Sequence, residues 1–210
     1  MSIKILSLSE ILVGDKEEVK IKEKQLQALL DTFESISITG SKSAQDVENF
    51  LKTKAILFDK QGWSRTHLVI STYKEKPVLV GYFTINNKPL VFTKRMLSNC
   101  SNTLKKHLNQ KGEKQPNSEN LVILGFLIAQ IGKNYSREAI STRSINGTDL
   151  LTLAYDMIAD VQKISGGSYI WIEYEDVERL RMFYQRFGFK EISDYESENN
   201  LKMAVLKIKV

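Results

Sequence analysis

Two stretches of this chain hold residues whose types and spacing could do chemistry. The first is Ser144-Ile145-Asn146-Gly147-Thr148, which precedes Leu150-Leu151 and a long apolar-striped segment. A helix that starts there exposes unpaired N–H groups and the positive end of its dipole, which receive phosphates readily. Gly147 would let the backbone approach an anion closely, and Arg143 adds a charge. The plain alternative is an ordinary turn before a helix. The second stretch is Phe183-Tyr184-Gln185-Arg186-Phe187-Gly188-Phe189. Tyr184 is either a core tyrosine or a general acid, since a phenol of ordinary pKa near 10 can protonate a departing thiolate. Glu173, Glu175 and Asp176 are the best carboxylates for a general base, with His67 behind them. The plain reading of all four is ordinary surface or hydrogen-bonded polar residues.

Other chemistries find little support. Cys100 lies in a polar segment with His107 seven residues away, a poor nucleophilic pair. With two histidines and one cysteine a catalytic metal site is not expected. Neither a phosphate-binding G-x-x-x-x-G-K-[ST] loop nor a G-x-G-x-x-G dinucleotide fingerprint occurs.

The elements that must position these residues can be read from periodicity. Lys22–Phe33 and Ser43–Gln61 carry apolar residues at helical spacing. Thr66–Thr72 and Val78–Asn86 form a hairpin across Tyr73–Pro77. Leu121–Ile131 is a near-continuous apolar run, expected as one central strand, with Gly125 marking a bulge or a close backbone approach. Gly132–Ile145 reads as a polar connection. Thr148–Ile164 is a strong amphipathic helix that Ser165-Gly166-Gly167 ends, and Tyr169–Tyr174 is a strand. A short helix closes at Gly188, and Leu201–Val210 reads as a last strand. Ile3–Leu8 suggests a first strand. Residues 93–120 turn to Lys, Asn, Ser and Gln, a polar insert with a short helix and an exposed loop over Lys111–Glu119. The sum is one α/β (α+β) domain over 1–210.

Composition is that of an ordinary globular protein, 42% hydrophobic and 26% charged. No apolar run approaches the ~18 residues that span a bilayer, and no export signal is read at Met1. The lone cysteine fits a reducing, cytoplasmic setting. Net charge is +5 and pI about 9.1. The positive residues read as scattered over a solvated surface, densest at Lys105-Lys106-His107 with Lys111 and Lys114.

The order strand, loop, helix, strand, aromatic-rich helix resembles the acyl-CoA-binding half of the GNAT superfamily of N-acetyltransferases. Phe183–Phe189 matches the family's aromatic-Tyr-x-x-x-Gly-Phe block. Val80-Gly81-Tyr82-Phe83 resembles its hydrophobic-Gly-Tyr strand. Its Q/R-x-x-G-x-G/A loop is matched loosely: Gly147 takes the place of the last glycine, Ile145 that of the earlier one, and Thr142 or Arg143 the Q/R place. The family's Asn before the last helix is missing, and Asp176 lies near its place.

The resemblance implies a GNAT-like domain, a mixed and mostly antiparallel central sheet flanked by helices, and acetyl-CoA as cofactor. It implies cofactor contacts at Ile131, Gly132 and Lys133 on the central strand. Further contacts fall at Arg143, Ile145, Asn146, Gly147 and Thr148 in the loop. It gives Tyr184 the role of general acid for the coenzyme A thiolate, with Glu173 as the carboxylate nominated for general base. The implied function is acetyl transfer to a primary amine by direct attack on the thioester. Two alternatives stay open: a catalytically degenerate coenzyme A-binding or interaction module, and a GNAT-type toxin that acetylates aminoacyl-tRNA. RNA and a second copy of the chain are the further partners to consider; a membrane is not. The acceptor would be set by Lys22–Gly62, Thr93–Asn120 and Asp194–Asn200.

Overall fold

A computed structural model describes residues 3–37, 43–195, 197 and 199–209. The chain opens with β1 (Lys4–Ser7), α1 (Leu8–Ile11), α2 (Lys16–Leu30), α3 (Ser43–Thr53) and α4 (Ala55–Lys60). The hairpin β2 (Arg65–Tyr73) and β3 (Lys76–Asn86) follows. Next come β4 (Leu90–Phe92), α5 (Lys94–Asn99), α6 (Asn102–Lys111), β5 (Glu113–Lys114) and β6 (Leu121–Ile123). The last part holds β7 (Gly125–Lys133), α7 (Arg137–Thr142), α8 (Gly147–Ser165), β8 (Tyr169–Tyr174), α9 (Glu178–Phe187), β9 (Lys190–Ile192) and β10 (Lys202–Lys207).

The chain forms two compact units, residues 1–86 with 130–154, and residues 87–129 with 155–210. β7 and α8 each run from one into the other. In hydrogen-bonding order the strands of the first unit are β1-β2-β3-β7, and those of the second are β7-β8-β10-β9. β1–β2, β2–β3, β8–β10, β10–β9, β4–β6 and β5–β6 pair antiparallel, and β7 pairs with β8 in parallel.

In the first unit, Asp15 starts α2 earlier than the apolar spacing indicated, because its carboxylate accepts the N–H groups of Glu17 and Glu18. Such a cap is worth about 1 kcal/mol. The expected helix over Ser43–Gln61 is two helices, broken at Lys54. Leu26, Leu30, Phe33, Leu51 and Ala55 pack with Leu68, Leu79 and Tyr82 of the hairpin. β3 carries one extra residue: Val69 pairs with Gly81 but Ile70 with Leu79. Val80 is therefore a bulge, and its carbonyl accepts the Asn134 N–H at 2.9 Å.

In the second unit the apolar run expected as one strand divides. β6 ends at Ile123, Leu124 is exposed, and β7 starts at Gly125. A Cβ on Gly125 would meet the Tyr169 carbonyl oxygen at 2.6 Å, so the glycine marks a close backbone approach. β6 joins a separate sheet, β4-β6-β5. The insert is thus folded, and its expected loop contains β5, paired to β6. Leu90, Phe92, Met96, Leu104, Leu108, Leu121 and Ile123 form one core with Tyr169, Trp171, Met203 and Val205. The final strand is β10; Val210 lies outside the described residues, as does the middle of the Ser35–Ser43 connection. Among the described residues no helix is long and apolar enough to cross a membrane.

Candidate functional site

The first unit holds the residues expected to meet a cofactor. β7 is fully buried over Gly125–Ile128 and only half-covered over Ala129–Lys133. Ile131, Gly132 and Lys133 lie in that open half. Two glycines allow the chain to pass there. A Cβ on Gly132 would stand 2.7 Å from Val47 and 3.0 Å from Phe33, and one on Gly81 would stand 3.0 Å from the Gly132 carbonyl oxygen. Lys133 places its ammonium 5.5 Å from the ring centre of Tyr135.

Asn134 pins the end of this strand and is fully buried. Its amide nitrogen donates to the carbonyls of Leu79 at 2.7 Å and Thr32 at 3.3 Å. Its oxygen accepts the N–H groups of Glu34 at 3.0 Å and Ser136 at 2.9 Å. Every hydrogen-bonding site of the amide is used. The sequence reading missed Asn134, because a lone Asn after a strand has no local signature.

The expected polar connection contains α7, capped by the Ser136 hydroxyl, which accepts the Ala139 N–H. α7 ends at Arg143 in the left-handed conformation (φ 49°). Arg143 has no ion-pair partner among the described residues. Ile145 is buried, and Asn146 caps α8: its side-chain oxygen accepts the Thr148 and Asp149 N–H groups at 2.8 and 3.0 Å. The Asp149 carboxylate accepts the Asn146 N–H at 2.9 Å in return. This reciprocal cap was also missed; the Asn-x-x-Asp spacing is its signal. Ser144 donates its N–H to the Thr142 hydroxyl. The N–H groups of Ile145 and Gly147 are left without a partner among the described residues. They alternate along the chain at the positive end of a 19-residue helix. That arrangement suits an anion, which Asp149 opposes.

The second unit holds the acid–base candidates. Tyr184 is 8% exposed, with its ring 5.1 Å from that of Tyr174, 5.0 Å from Phe183 and 5.8 Å from Phe189. Its hydroxyl has no hydrogen-bond partner among the described residues. Burial pushes the phenol up to about 12, so it stays protonated at neutral pH. Gly188 closes α9 at φ 111°, and Phe189 donates its N–H to the Tyr184 carbonyl at 3.0 Å.

Glu173 lies on the other face of β8. Side chains alternate along a strand, and Tyr169 and Trp171 share the insert's core while Tyr174 meets Tyr184. Glu173 accepts a short hydrogen bond from the Tyr195 hydroxyl. Asp176 is engaged by Arg181 and Lys202, and Arg181 also binds Glu178 and Glu191. Tyr174 donates to Glu191 at 2.6 Å. The β7–β8 ladder has rungs only at Gly125–Tyr169, Phe126–Ile170 and Leu127–Trp171, although β8 continues to Tyr174.

His67, in the first unit, stacks on Phe83 at 5.1 Å, and its Nδ1 is buried without a partner among the described residues. Burial lowers its pKa, against the pull of Asp59 and Glu10. Cys100 points its thiol at the Met96 carbonyl, and burial pushes the thiol up, away from thiolate chemistry. Among the described residues no group of three His, Cys, Asp or Glu is placed to hold a metal ion.

No family model and no curated protein matches this sequence. Solved structures do. AtaT complexed with acetyl-methionyl-tRNAfMet superposes with a TM-score of 0.61 at 15% identity, covering 98% of this chain and 95% of that one. A tyrosine-to-phenylalanine mutant of KacT gives 0.58 at 16%, covering 99% and 96%. AtaTR bound with AcCoA gives 0.53 at 14%, covering 99% and 92%. The chain has the GNAT fold. The mixed, mostly antiparallel strands and flanking helices are those expected from the sequence, and the GNAT likeness takes in the insert as well.

Proposed function

We propose that this chain is an acetyl-CoA-dependent N-acetyltransferase whose acceptor is the α-amine of an aminoacyl-tRNA. The observation that carries the reading is the likeness, over 98% of the chain, to AtaT in complex with acetyl-methionyl-tRNAfMet. An acetyl-CoA co-substrate would supply an activated thioester. The open N–H groups of Ile145 and Gly147, the α8 N-terminus and Arg143 suit its phosphates. The open half of β7, Ile131–Lys133, offers backbone groups for an amide-bearing arm and an acyl carbonyl. Asn146 and Thr148 shape the loop, Asn146 through its cap.

The acceptor amine forms the new C–N bond as the C–S bond breaks. Tyr184 holds the proton that a departing thiolate takes; its unengaged hydroxyl supports the role. The amine must lose a proton, and Glu173 is the proposed acceptor. The Tyr195 hydroxyl donates to its carboxylate and holds it in place. Orientation and carbonyl polarisation supply most of the rate in such a transfer. A cytoplasmic setting follows from this acceptor.

A specific observation favours a second reading, a GNAT-fold module without catalysis: Asn146 consumes two N–H groups at the α8 N-terminus and Asp149 brings a negative charge there. Thermal unfolding with acetyl-CoA, beside ATP as a phosphate control, separates nothing-bound from cofactor-bound. A ligand at ~100 times its Kd stabilises by about 2.7 kcal/mol. Turnover then decides between the readings. Tyr184→Phe should cut kcat at least tenfold and leave acetyl-CoA affinity unchanged. Unchanged kcat would return Tyr184 to the core, and a thermal shift without any acetyl transfer would select the module.

A further inference from the structure

The balance of acids and bases differs between the insert and the rest of the chain. Residues 87–124 hold seven Lys or Arg against two Glu, a net +5. The whole chain, 30 against 25, is also +5, so the remaining residues balance at 23 of each sign. Basic residues are scattered along the chain as expected, 23 of the 30 lying outside the insert, but there acids match them in number.

Packing turns the insert's lysines outward. Leu104 and Leu108 of α6 are buried in the core of the second unit, and Lys106, Asn109, Gln110 and Lys111 are exposed. No carboxylate occurs on α6. Lys106, Lys111 and Lys114 have no ion-pair partner among the described residues, while Lys94 is neutralised by Glu119 at 2.8 Å. Lys105 donates to the Ser98 carbonyl. Glu113 is the exposed acid beside Lys114.

The chemistry of this surface selects its partner. A membrane-bound helix turns an apolar face into the lipid, but the apolar face of α6 is used inside. A protein interface needs a cluster of apolar or aromatic anchors, and the large hydrophobic side chains exposed over 87–124 are Val91 and Leu124 alone, outside α5, α6 and β5. Lysines set among Asn, Gln, Ser and Thr on a folded, uncharged ground match a phosphodiester backbone with its sugar hydroxyls.

We propose that the insert α5–α6–β5 is a docking surface for the phosphate backbone of an RNA, with Lys106, Lys111 and Lys114 as its contacts. The proposal rests on the aminoacyl-tRNA reading and gives that acceptor a second point of attachment.

The experiment compares wild type with Lys106→Glu/Lys111→Glu/Lys114→Glu, and with Lys16→Glu/Lys20→Glu/Lys76→Glu in the first unit as a control of equal charge change. Binding of bulk tRNA is read by fluorescence anisotropy over a KCl series, with duplex DNA of similar length as a second probe. Acetyl transfer is read on aminoacyl-tRNA and on amino-acid ethyl esters, which lack RNA. The insert variant should weaken tRNA binding at least tenfold and lower the salt slope by about two to three, since each phosphate contact contributes about 0.7–0.9. Its KM for aminoacyl-tRNA should rise with kcat and ester acetylation unchanged. An equal loss in the first-unit control would assign the effect to bulk charge and overturn the proposal. Wild-type binding that is indifferent to salt, or tighter on duplex DNA than on tRNA, would overturn it too. Ester acetylation reports separately on the acetyltransferase reading, which can therefore survive or fail independently of the docking surface.

Discussion

Replacing Asn134 by Ala should be among the most damaging single changes in the first unit. The side chain is fully buried and makes four hydrogen bonds to backbone groups: the carbonyls of Leu79 and Thr32, and the N–H groups of Glu34 and Ser136. The truncation leaves the Leu79 carbonyl orphaned in a place closed to water, which costs about 1–3 kcal/mol. The other three groups sit in partly exposed segments and rehydrate in part, at about 0.5–1 kcal/mol each. The total is about 2.5–6 kcal/mol, or roughly 5–24 °C in Tm for a chain of this size. Urea unfolding followed by circular dichroism measures it, and acetyl-CoA binding should weaken in parallel because Asn134 adjoins Ile131–Lys133. Asn134→Asp refines the test. Its carboxylate would face two carbonyl oxygens, so the folded protein would hold that proton more tightly than the unfolded chain, and stability should rise as pH falls from 7 to 5. A loss below ~1 kcal/mol in Asn134→Ala would refute the view that this amide clamps the end of β7.

Three further outcomes are expected. Gly132→Ala should cost about 1–3 kcal/mol in chemical denaturation, since the new methyl would stand 2.7 Å from Val47 and 3.0 Å from Phe33; a neutral result would mean that these side chains move aside freely. Asn146→Ala should cost about 1 kcal/mol, the worth of the α8 cap, and unchanged stability would show that water caps the helix equally well. His67 is held below its ordinary pKa of 6.5 by burial, so the unfolded chain binds the extra proton first. Stability should be full above pH 6.5 and fall as pH drops through the folded pKa, and His67→Gln should flatten that slope; a slope unaltered by the substitution would place the acid loss elsewhere.

The sequence by itself settled what depends on neighbours along the chain. The α8 stripe, the β2–β3 hairpin, the Gly188 stop and the Phe183–Phe189 block are local patterns with local physical causes, and each stands close to where it was expected. Helix boundaries moved where a side chain competed for backbone donors, as Asp15 does at α2 and Ser136 at α7. What only the tertiary structure decided depends on residues far apart. Leu121–Ile131 is apolar throughout, so nothing local shows that it breaks at Leu124 and serves two sheets. Leu104 and Leu108, at helical spacing, allow a short helix, but only Trp171 and Met203 supply the surface that buries them. Glu173 and Tyr184 both read as site residues, but strand alternation sets them on opposite faces of β8, a fact fixed by what covers each face. Asn134 shows the same limit most plainly: its four partners come from three segments, two of them 55 and about 100 residues away, and only folding brings them within reach of one amide.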